Sequence, residues 1–177
     1  GYWNNPEATA AVLSDDGWLN TGDQVRIDEQ GFIHITGRIK EIIVMGNGEK
    51  VPPVDMEIAI QLDPLFEQVM VYGEAKPYLS AIVVLNDDEW ARIADEAKLD
   101  PRLEGEGRDK AEKFLVQRIS KQIKSFPGYA GVRKVAVARE KWTIDNGLIT
   151  PTLKLRRPAI VQKYAEAIED MYKGHVL

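Results

Sequence analysis

A lysine lies between two leucines in LITPTLKLRR, the stretch from residue 148 to residue 157. Two breaker signals, Asn146-Gly147 and Thr150-Pro151, come at or just before the start of this short apolar and basic run. If the run is extended, successive side chains point to opposite faces, so that Leu153 and Leu155 face a core while Lys154 faces away from it. The pattern therefore predicts a loop that presents the Lys154 cation.

Three weaker signals of ligand binding lie between residues 17 and 48. The turn GWLNTGD ends in Asp23, whose carboxylate can accept hydrogen bonds from two vicinal hydroxyls of a ribose, although such an aspartate is more often only a turn former. Arg38 follows a predicted strand, and its donors suit a ribose or a phosphate; an ordinary surface arginine is the alternative. The turn Gly46-Asn47-Gly48 lets a ligand approach the backbone closely, but it is neither a P-loop nor a dinucleotide fingerprint.

Composition excludes several kinds of chemistry. The chain of 177 residues is 44% hydrophobic and 29% charged, which is typical of a soluble globular domain, or of one domain plus a fragment. It has no cysteine, so it has no disulfide, thiolate metal site or cysteine nucleophile. The two histidines, His34 and His175, are far apart and neither lies in a ligand-spaced cluster. We therefore expect no metal site within this chain and no histidine-based triad.

A basic stretch from residue 118 to residue 141 stands out, because the net charge of the chain is −5. Its members are Arg118, Lys121, Lys124, Arg133, Lys134, Arg139 and Lys141, with Glu140 as the one acid. An anion could bind there, or the residues could form a solvated helix face and strand edge. Only Phe126 and Tyr129 offer rings for base stacking, and the rest of the chain is acidic, so nucleic acid is not the expected partner.

Targeting signals are absent from the sequence. No apolar run is long enough to span a bilayer, and no secretory signal opens the chain. A cytoplasmic location is expected, and peripheral association with a membrane remains open. Because the first residue is glycine, we also expect the chain to be a segment of a longer protein.

The periodicity of apolar residues predicts an α+β fold. Strands at 23–28 and 32–38 form a hairpin, and after residue 38 strands and helices alternate. Strands are predicted at 42–45, 69–73, 79–86 and 132–139, and helices at 53–62, 87–97, 108–126 and from Pro158 to the C-terminal region. The prediction is a small mixed sheet covered by about three helices, preceded by a short hairpin-rich segment.

The motifs are more informative in their order than alone. GYWNNPEAT, GWLNTGD, GRIKEIIVMGNGEKVPP, KPYLSAIVVL and NGLITPTLKLRR follow one another along the chain. This succession resembles the acyl-adenylate-forming (AMP-binding) enzymes, and most closely their long-chain fatty acid CoA ligase branch. It matches only the C-terminal part of such an enzyme. The resemblance implies that residues 1–38 are the end of a large N-terminal domain and that residues 39–177 are a mobile lid domain.

The resemblance also implies roles for individual residues. Asp23 and Arg38 would hold the ribose of ATP or AMP, and Lys40 would lie where the lid pivots between two orientations. Gly46–Gly48 would border the channel for the pantetheine arm of CoA, although Asn47 stands where relatives usually have a bare glycine. Lys154 would be the lysine delivered into the active site for adenylation.

The function implied is that of an ATP-dependent long-chain fatty acid CoA ligase, which forms acyl-AMP and transfers the acyl group to CoA. Mg²⁺ would accompany ATP and be bound mostly by the N-terminal domain, which is the expected partner within the same chain. The segment alone is expected to be inactive. The alternatives are a non-catalytic nucleotide- or CoA-binding module and an adenylating ligase for a different carboxylic acid.

Overall fold

The computed structural model describes residues 1–103 and 107–174. These residues form two compact units, the first comprising residues 1–42 and the second starting at residue 43. His175, one of the two histidines considered above, lies outside the described residues.

The first unit is a short helix followed by a β-hairpin. Helix α1 (Pro6–Ala10) begins after Asn5, whose side chain accepts a hydrogen bond from the backbone N–H of Ala8 at 3.0 Å. Strands β1 (Asp23–Ile27) and β2 (Ile33–Arg38) pair antiparallel. The predicted hairpin is therefore confirmed.

One face of this hairpin is aliphatic and exposed. Val25 lies opposite Ile35 and Ile27 lies opposite Ile33, and their exposed fractions run from 47% for Val25 to 71% for Ile35. None of residues 1–42, all of which the structure describes, is buried. The unit therefore has no hydrophobic core of its own, and an isolated two-stranded hairpin without a core is only marginally stable.

The second unit contains a three-stranded sheet, a small hairpin, five α-helices and a short 3₁₀ helix (Gly128–Ala130) within the described residues. The hairpin consists of β3 (Ile43–Val44) and β4 (Lys50–Val51), and the sheet of β5 (Phe66–Tyr72), β6 (Leu79–Leu85) and β7 (Val132–Ala138). The helices are α2 (Pro53–Gln61), α3 (Asp87–Ala97), α4 (Gly107–Gln122), α5 (Arg157–Lys163) and α6 (Ala165–Tyr172). The sheet is mixed, as predicted, because the central strand β6 runs antiparallel to β5 and parallel to β7.

The sheet separates two hydrophobic clusters. Leu79, Ala81 and Val83 of the fully buried strand β6 face a cluster with α2, α3 and α4, whereas Ile82 faces a second cluster with α5 and α6. This alternation is the period-two pattern of a strand covered on both faces. The α+β prediction is confirmed.

The C-terminal helix differs from the prediction, which placed one continuous helix after Pro158. Helix α5 ends at Lys163, and α6 starts after Tyr164, whose backbone leaves helical geometry at φ −106° and ψ 24°. The hydroxyl of Tyr164 accepts a hydrogen bond from the ring N–H of the buried Trp142 at 3.3 Å. A tertiary contact thus lies at the break, where the helical spacing of the sequence shows no interruption.

Candidate functional site

Asp23 and Arg38 are brought together by the register of the first unit's hairpin. They are directly opposed residues of β1 and β2, and the Arg38 Nε lies 2.8 Å from the Asp23 Oδ1. Side-chain exposure is 21% for Asp23 and 56% for Arg38. A carboxylate has about four acceptor positions, so the contact with Arg38 leaves Asp23 able to accept further hydrogen bonds from a ligand.

The turn before Asp23 explains why this sequence holds the carboxylate in place. The Asn20 side chain accepts from the N–H of Gly22 at 3.0 Å, and the Thr21 hydroxyl accepts from the N–H of Asp23 at 3.2 Å. Gly22 has φ +73°, a conformation that glycine adopts without steric cost. The sequence Asn-Thr-Gly thus supplies its own turn geometry immediately before the acidic residue.

Lys40 lies in a single turn of 3₁₀ helix, Ile39–Glu41, directly after β2. The backbone N–H groups of Ile39 and Ile42 bond to the carbonyls of Gly22 and Arg38, and the Lys40 side chain is exposed. The turn lies at the end of the first unit. The pivot role of Lys40 stays a prediction.

The glycine turn connects β3 and β4 and is tied to the turn between β5 and β6. The N–H of Gly46 donates to the carbonyl of Lys76 at 2.9 Å, and the N–H of Val44 donates to the Glu74 carboxylate at 3.0 Å. The Asn47 side chain faces its own loop, accepting from the N–H of Glu49 at 3.1 Å. Gly48 has φ +84°. The contact of this turn with CoA stays a prediction.

Lys154 lies at the tip of a compact hairpin-like loop. Ile149 and Leu155 form an isolated antiparallel bridge, and the N–H of Thr150 donates to the carbonyl of Lys154 at 2.8 Å. The N–H of Lys154 donates in turn to the Thr150 hydroxyl at 3.1 Å. The Lys154 side chain is exposed, and in the described part of the chain its ammonium has no ion-pair or hydrogen-bond partner. The cation is presented to solvent by a backbone that is closed on itself.

The prediction that Leu153 and Leu155 share the buried face of an extended strand is wrong. Leu153 has φ +59°, which is the left-handed region, and its side chain is 73% exposed. Leu155 alone turns inward and packs against the second cluster. The reason is a tight turn, in which the N–H of Leu153 donates to the carbonyl of Thr150. This turn interrupts the alternation of side chains that an extended strand would have.

The loop is anchored at its start by a pair of bonds to strand β5. The Gln68 side chain accepts from the N–H of Trp142 at 2.6 Å and donates to the Trp142 carbonyl at 2.9 Å. Asn146 then organises the following turn, accepting from the N–H of Thr143 and donating to the carbonyl of Lys141. Trp142 is 1% exposed, so the anchor is also a core residue.

The loop is anchored at its end by a buried ion pair. Arg157, three residues after Lys154, forms a bidentate contact with Glu57 of α2 through Nη1–Oε1 at 2.8 Å and Nη2–Oε2 at 2.7 Å. Glu57 is 5% exposed and also accepts from the N–H of Val71, at 2.8 Å. Sequence reasoning missed Glu57 and Gln68, because α2 also contains Asp55 and Gln61 and β5 also contains Glu67, so that neither residue stands out in the sequence.

Three of the seven basic residues in the stretch 118–141 form ion pairs within the second unit. Arg118 forms a bidentate contact with the buried Asp63, at 2.6 and 2.9 Å. Lys134 pairs with Glu112 and Lys141 with Glu67. Burial tends to raise the pKa of Asp63, but the hydrogen bonds from Arg118 and Leu65 hold it below its ordinary value. The charges of these three basic residues are met within the unit and do not form an open anion-binding surface.

Within residues 1–103 and 107–174, no group of three acidic or histidine side chains is placed to hold a metal ion. In the same residues, no helix combines the length and the apolar character that crossing a bilayer requires.

Comparison with known proteins identifies the family of the chain. The family model of the AMP-binding enzyme C-terminal domain matches residues 40–176. The chain therefore belongs to the AMP-binding, adenylate-forming enzyme family, through the C-terminal domain of that family.

Similar proteins include two curated relatives and one solved structure. The chain is 36% identical to a probable acyl-activating enzyme 16 of Arabidopsis thaliana, covering 98% of this chain and 25% of that protein. It is 34% identical to the long-chain-fatty-acid–CoA ligase FadD15 of Mycobacterium tuberculosis, covering 97% of this chain and 29% of the relative. The adenylation domain of the carboxylic acid reductase of Segniliparus rugosus, solved with AMP and a carboxylic acid, matches with a TM-score of 0.81 and 28% identity, covering 97% of this chain and 26% of that chain. The chain thus spans about a quarter of the length of the proteins it matches.

Proposed function

We propose that the chain is the C-terminal part of an ATP-dependent long-chain fatty acid CoA ligase. Such an enzyme activates a fatty acid as acyl-AMP and then transfers the acyl group to CoA. The observation that carries the proposal is the exposed Lys154, which has no internal partner in the described residues and stands on a loop anchored at both ends. Membership of the AMP-binding family and the names of the curated relatives support the same activity.

The first step brings two anions together. An oxygen of the fatty acid carboxylate attacks the α-phosphorus of ATP, the acyl-AMP bond forms, and pyrophosphate leaves. Negative charge builds on the phosphoryl oxygens in the transition state, and a positioned cation stabilises it. Lysine suits this point-charge role because its ammonium is compact and strongly charged.

The second step requires the cation to leave. The CoA thiol attacks the acyl carbonyl and AMP departs. The path of the thiol to the carbonyl must therefore be clear of the lysine. We propose that the second unit is a mobile lid that pivots at Lys40, delivers Lys154 for the first step and withdraws it for the second. In this proposal Gly46–Gly48 then borders the pantetheine arm of CoA.

The nucleotide would be held in part by the first unit. The Asp23 carboxylate suits the two ribose hydroxyls, and Arg38 both orients Asp23 and carries a donor fork for the ligand. In this proposal the adenine, the phosphates and Mg²⁺ are bound by the large N-terminal domain of the full-length enzyme, because this chain spans only 25% and 29% of the length of two of its relatives. We propose that the enzyme is cytoplasmic, either free or attached peripherally to a membrane.

The alternatives to this function differ in the carboxylic acid that is activated or in the thiol that accepts the acyl group. One relative is named as a long-chain-fatty-acid–[acyl-carrier-protein] ligase, at 33% identity, and the structural relative above is a carboxylic acid reductase. A ligase for another carboxylic acid, or one with a carrier-protein thiol as acceptor, is therefore the second candidate.

The full-length enzyme decides between these candidates. Acid-dependent exchange of pyrophosphate into ATP should be supported by long-chain fatty acids, and thioester should form with CoA. Exchange that depends on short or aromatic acids alone, or thioester formation only on a carrier protein, would favour the second candidate. Nucleotide binding without any acid-dependent exchange would favour a non-catalytic module.

The ribose contact gives a first mutational prediction. In the full-length enzyme, Asp23→Ala should raise the KM for ATP by about tenfold or more, because a charge-assisted hydrogen bond contributes roughly 1.5–3 kcal/mol and 1.4 kcal/mol corresponds to tenfold. The measurement is the ATP dependence of pyrophosphate exchange.

The control for Asp23→Ala lies in the same hairpin. Asp28 contacts His34 at 2.7 Å, and this hydrogen bond lowers the pKa of Asp28. Asp28→Ala therefore removes a carboxylate, its contact with His34 and two hydrogen bonds from the N–H groups of Gln30 and Phe32, but no contact of Asp23. An unchanged KM in the Asp23 variant, or an equal rise in both variants, would remove the ribose role.

A further inference from the structure

The loop that carries Lys154 is tied to strand β5 at both ends, directly at its start and through Glu57 of α2 at its end. At the start, the Gln68 side chain bonds both backbone groups of Trp142. At the end, Arg157 contacts Glu57, which also accepts from the N–H of Val71. Gln68 and Val71 both belong to β5. The segment 142–157 therefore spans two attachment points on a single strand.

Strand β5 can serve in this way because it is an edge strand. Among the described residues it pairs with β6 only, so the N–H of Val71, which points away from β6, has no strand partner there. Glu57 supplies the acceptor at 2.8 Å. The carboxylate thereby satisfies a backbone donor of β5 and the guanidinium of Arg157 at once, which links α2, β5 and the first residue of α5.

From this geometry we infer that Glu57 and Gln68 are positioning residues for Lys154. Neither reaches the reacting atoms; they hold the two ends of segment 142–157 and so set the place at which the ammonium is presented. The inference rests on the proposed function, since it takes Lys154 as the adenylation lysine. It goes beyond that function by naming the residues that make the lysine effective.

The chain offers a matched control for the Glu57 contact. Asp63 is also a buried carboxylate, 4% exposed, and it also holds an arginine, Arg118, in a bidentate contact and accepts from a backbone N–H, that of Leu65. It differs in place, because its contacts join the α2–β5 turn to α4 and do not involve the lysine loop. A general loss of stability should affect both variants, whereas a positioning effect should appear only at Glu57.

The test compares Glu57→Gln with Asp63→Asn in the full-length enzyme. We expect Glu57→Gln to lower the kcat of pyrophosphate exchange by about tenfold, because a small misplacement of a catalytic group is costly. The KM for ATP and the transfer of acyl groups from supplied acyl-AMP to CoA should stay within about twofold. Asp63→Asn should change neither half-reaction by more than about twofold. Equal losses in the two variants, or an unchanged exchange rate in Glu57→Gln, would overturn the inference.

A double-mutant cycle with Lys154→Ala distinguishes positioning from other roles. If Glu57 acts through Lys154, Glu57→Gln should cause no further loss of exchange when Lys154 is already alanine. Independent, multiplying losses would overturn the inference. If Lys154→Ala alone leaves exchange unchanged, the proposed function of the lysine fails and the positioning role fails with it. If Lys154→Ala is damaging and Glu57→Gln is not, only the positioning role fails.

If Glu57→Gln does not fold, the attachment of Gln68 to Trp142 offers a separate test of the inference. Gln68→Met preserves much of the side-chain volume but cannot bond the backbone of Trp142. It should likewise lower the kcat of exchange with little effect on acyl transfer, and hydrogen exchange of peptides from segment 142–157 should become faster. An unchanged kcat together with faster hydrogen exchange would show that anchoring does not matter for the lysine, and would overturn the inference.

Discussion

Lys154→Ala in the full-length enzyme is expected to slow acyl-AMP formation by about 10²–10³-fold, the usual range for loss of one group that stabilises transition-state charge. The side chain is exposed and has no partner in the described residues, so its removal should cost little folding stability. Transfer from supplied acyl-AMP to CoA should change little, because the proposed mechanism withdraws the lysine before that step. The two half-reactions are measured separately, by pyrophosphate exchange and by thioester formation.

The control for Lys154→Ala is Lys121→Ala, which removes an exposed lysine of α4. It should leave both half-reactions unchanged. Equal losses of both half-reactions in Lys154→Ala would contradict a role confined to adenylation. A loss of thioester formation alone would reverse the proposed order of lid positions.

The 177 residues by themselves are expected to form no detectable acyl-AMP. In the proposed function, Asp23 and Arg38 of the first unit contact only the ribose of the nucleotide. None of the residues of the first unit is buried, so we expect its hairpin to be only marginally stable in the isolated chain. Incubation with ATP, Mg²⁺ and a fatty acid, followed by mass spectrometry for acyl-AMP, measures this.

A trace of host ligase in the preparation would imitate activity, so the isolated chain is compared with its own Lys154→Ala variant. Acyl-AMP made equally by both proteins comes from the contaminant. Acyl-AMP made by the original chain and lost in the variant would show that these residues suffice for adenylation, and the proposed need for a large domain would be wrong.

The parts of the fold that follow local periodicity were predictable from the sequence. Strand β6 and helix α3 come within one residue of their predicted bounds, because an unbroken apolar run and an acidic helix start are local signals. The hairpin was predictable in the same way, but the pairing of Asp23 with Arg38 was not. Counting from the turn would place Asp23 opposite Gly37, and an irregularity between Gln24 and Val25 shifts the register by one residue. The features that were predictable depend on neighbours close in the chain.

The parts that depend on distant neighbours were not predictable. Glu57 and Arg157 are 100 residues apart, and no pattern in a single sequence indicates that they meet. Leu153 departs from the alternation because hydrogen bonds to Thr150 close a tight turn. Tyr164 interrupts a helical spacing at a contact with Trp142. In each case a tertiary or turn contact overrides the local pattern.

The backbone of Leu153 carries a cost that its own unit does little to offset. A non-glycine residue in the left-handed region is disfavoured by roughly 1–2 kcal/mol, and 73% of this side chain stays in water. Burying a leucine contributes about 1.5–3 kcal/mol. The backbone cost is the same wherever the lid stands, so if the lid closes as proposed and buries this leucine, the burial would favour the closed enzyme beside the cation that the closed enzyme needs.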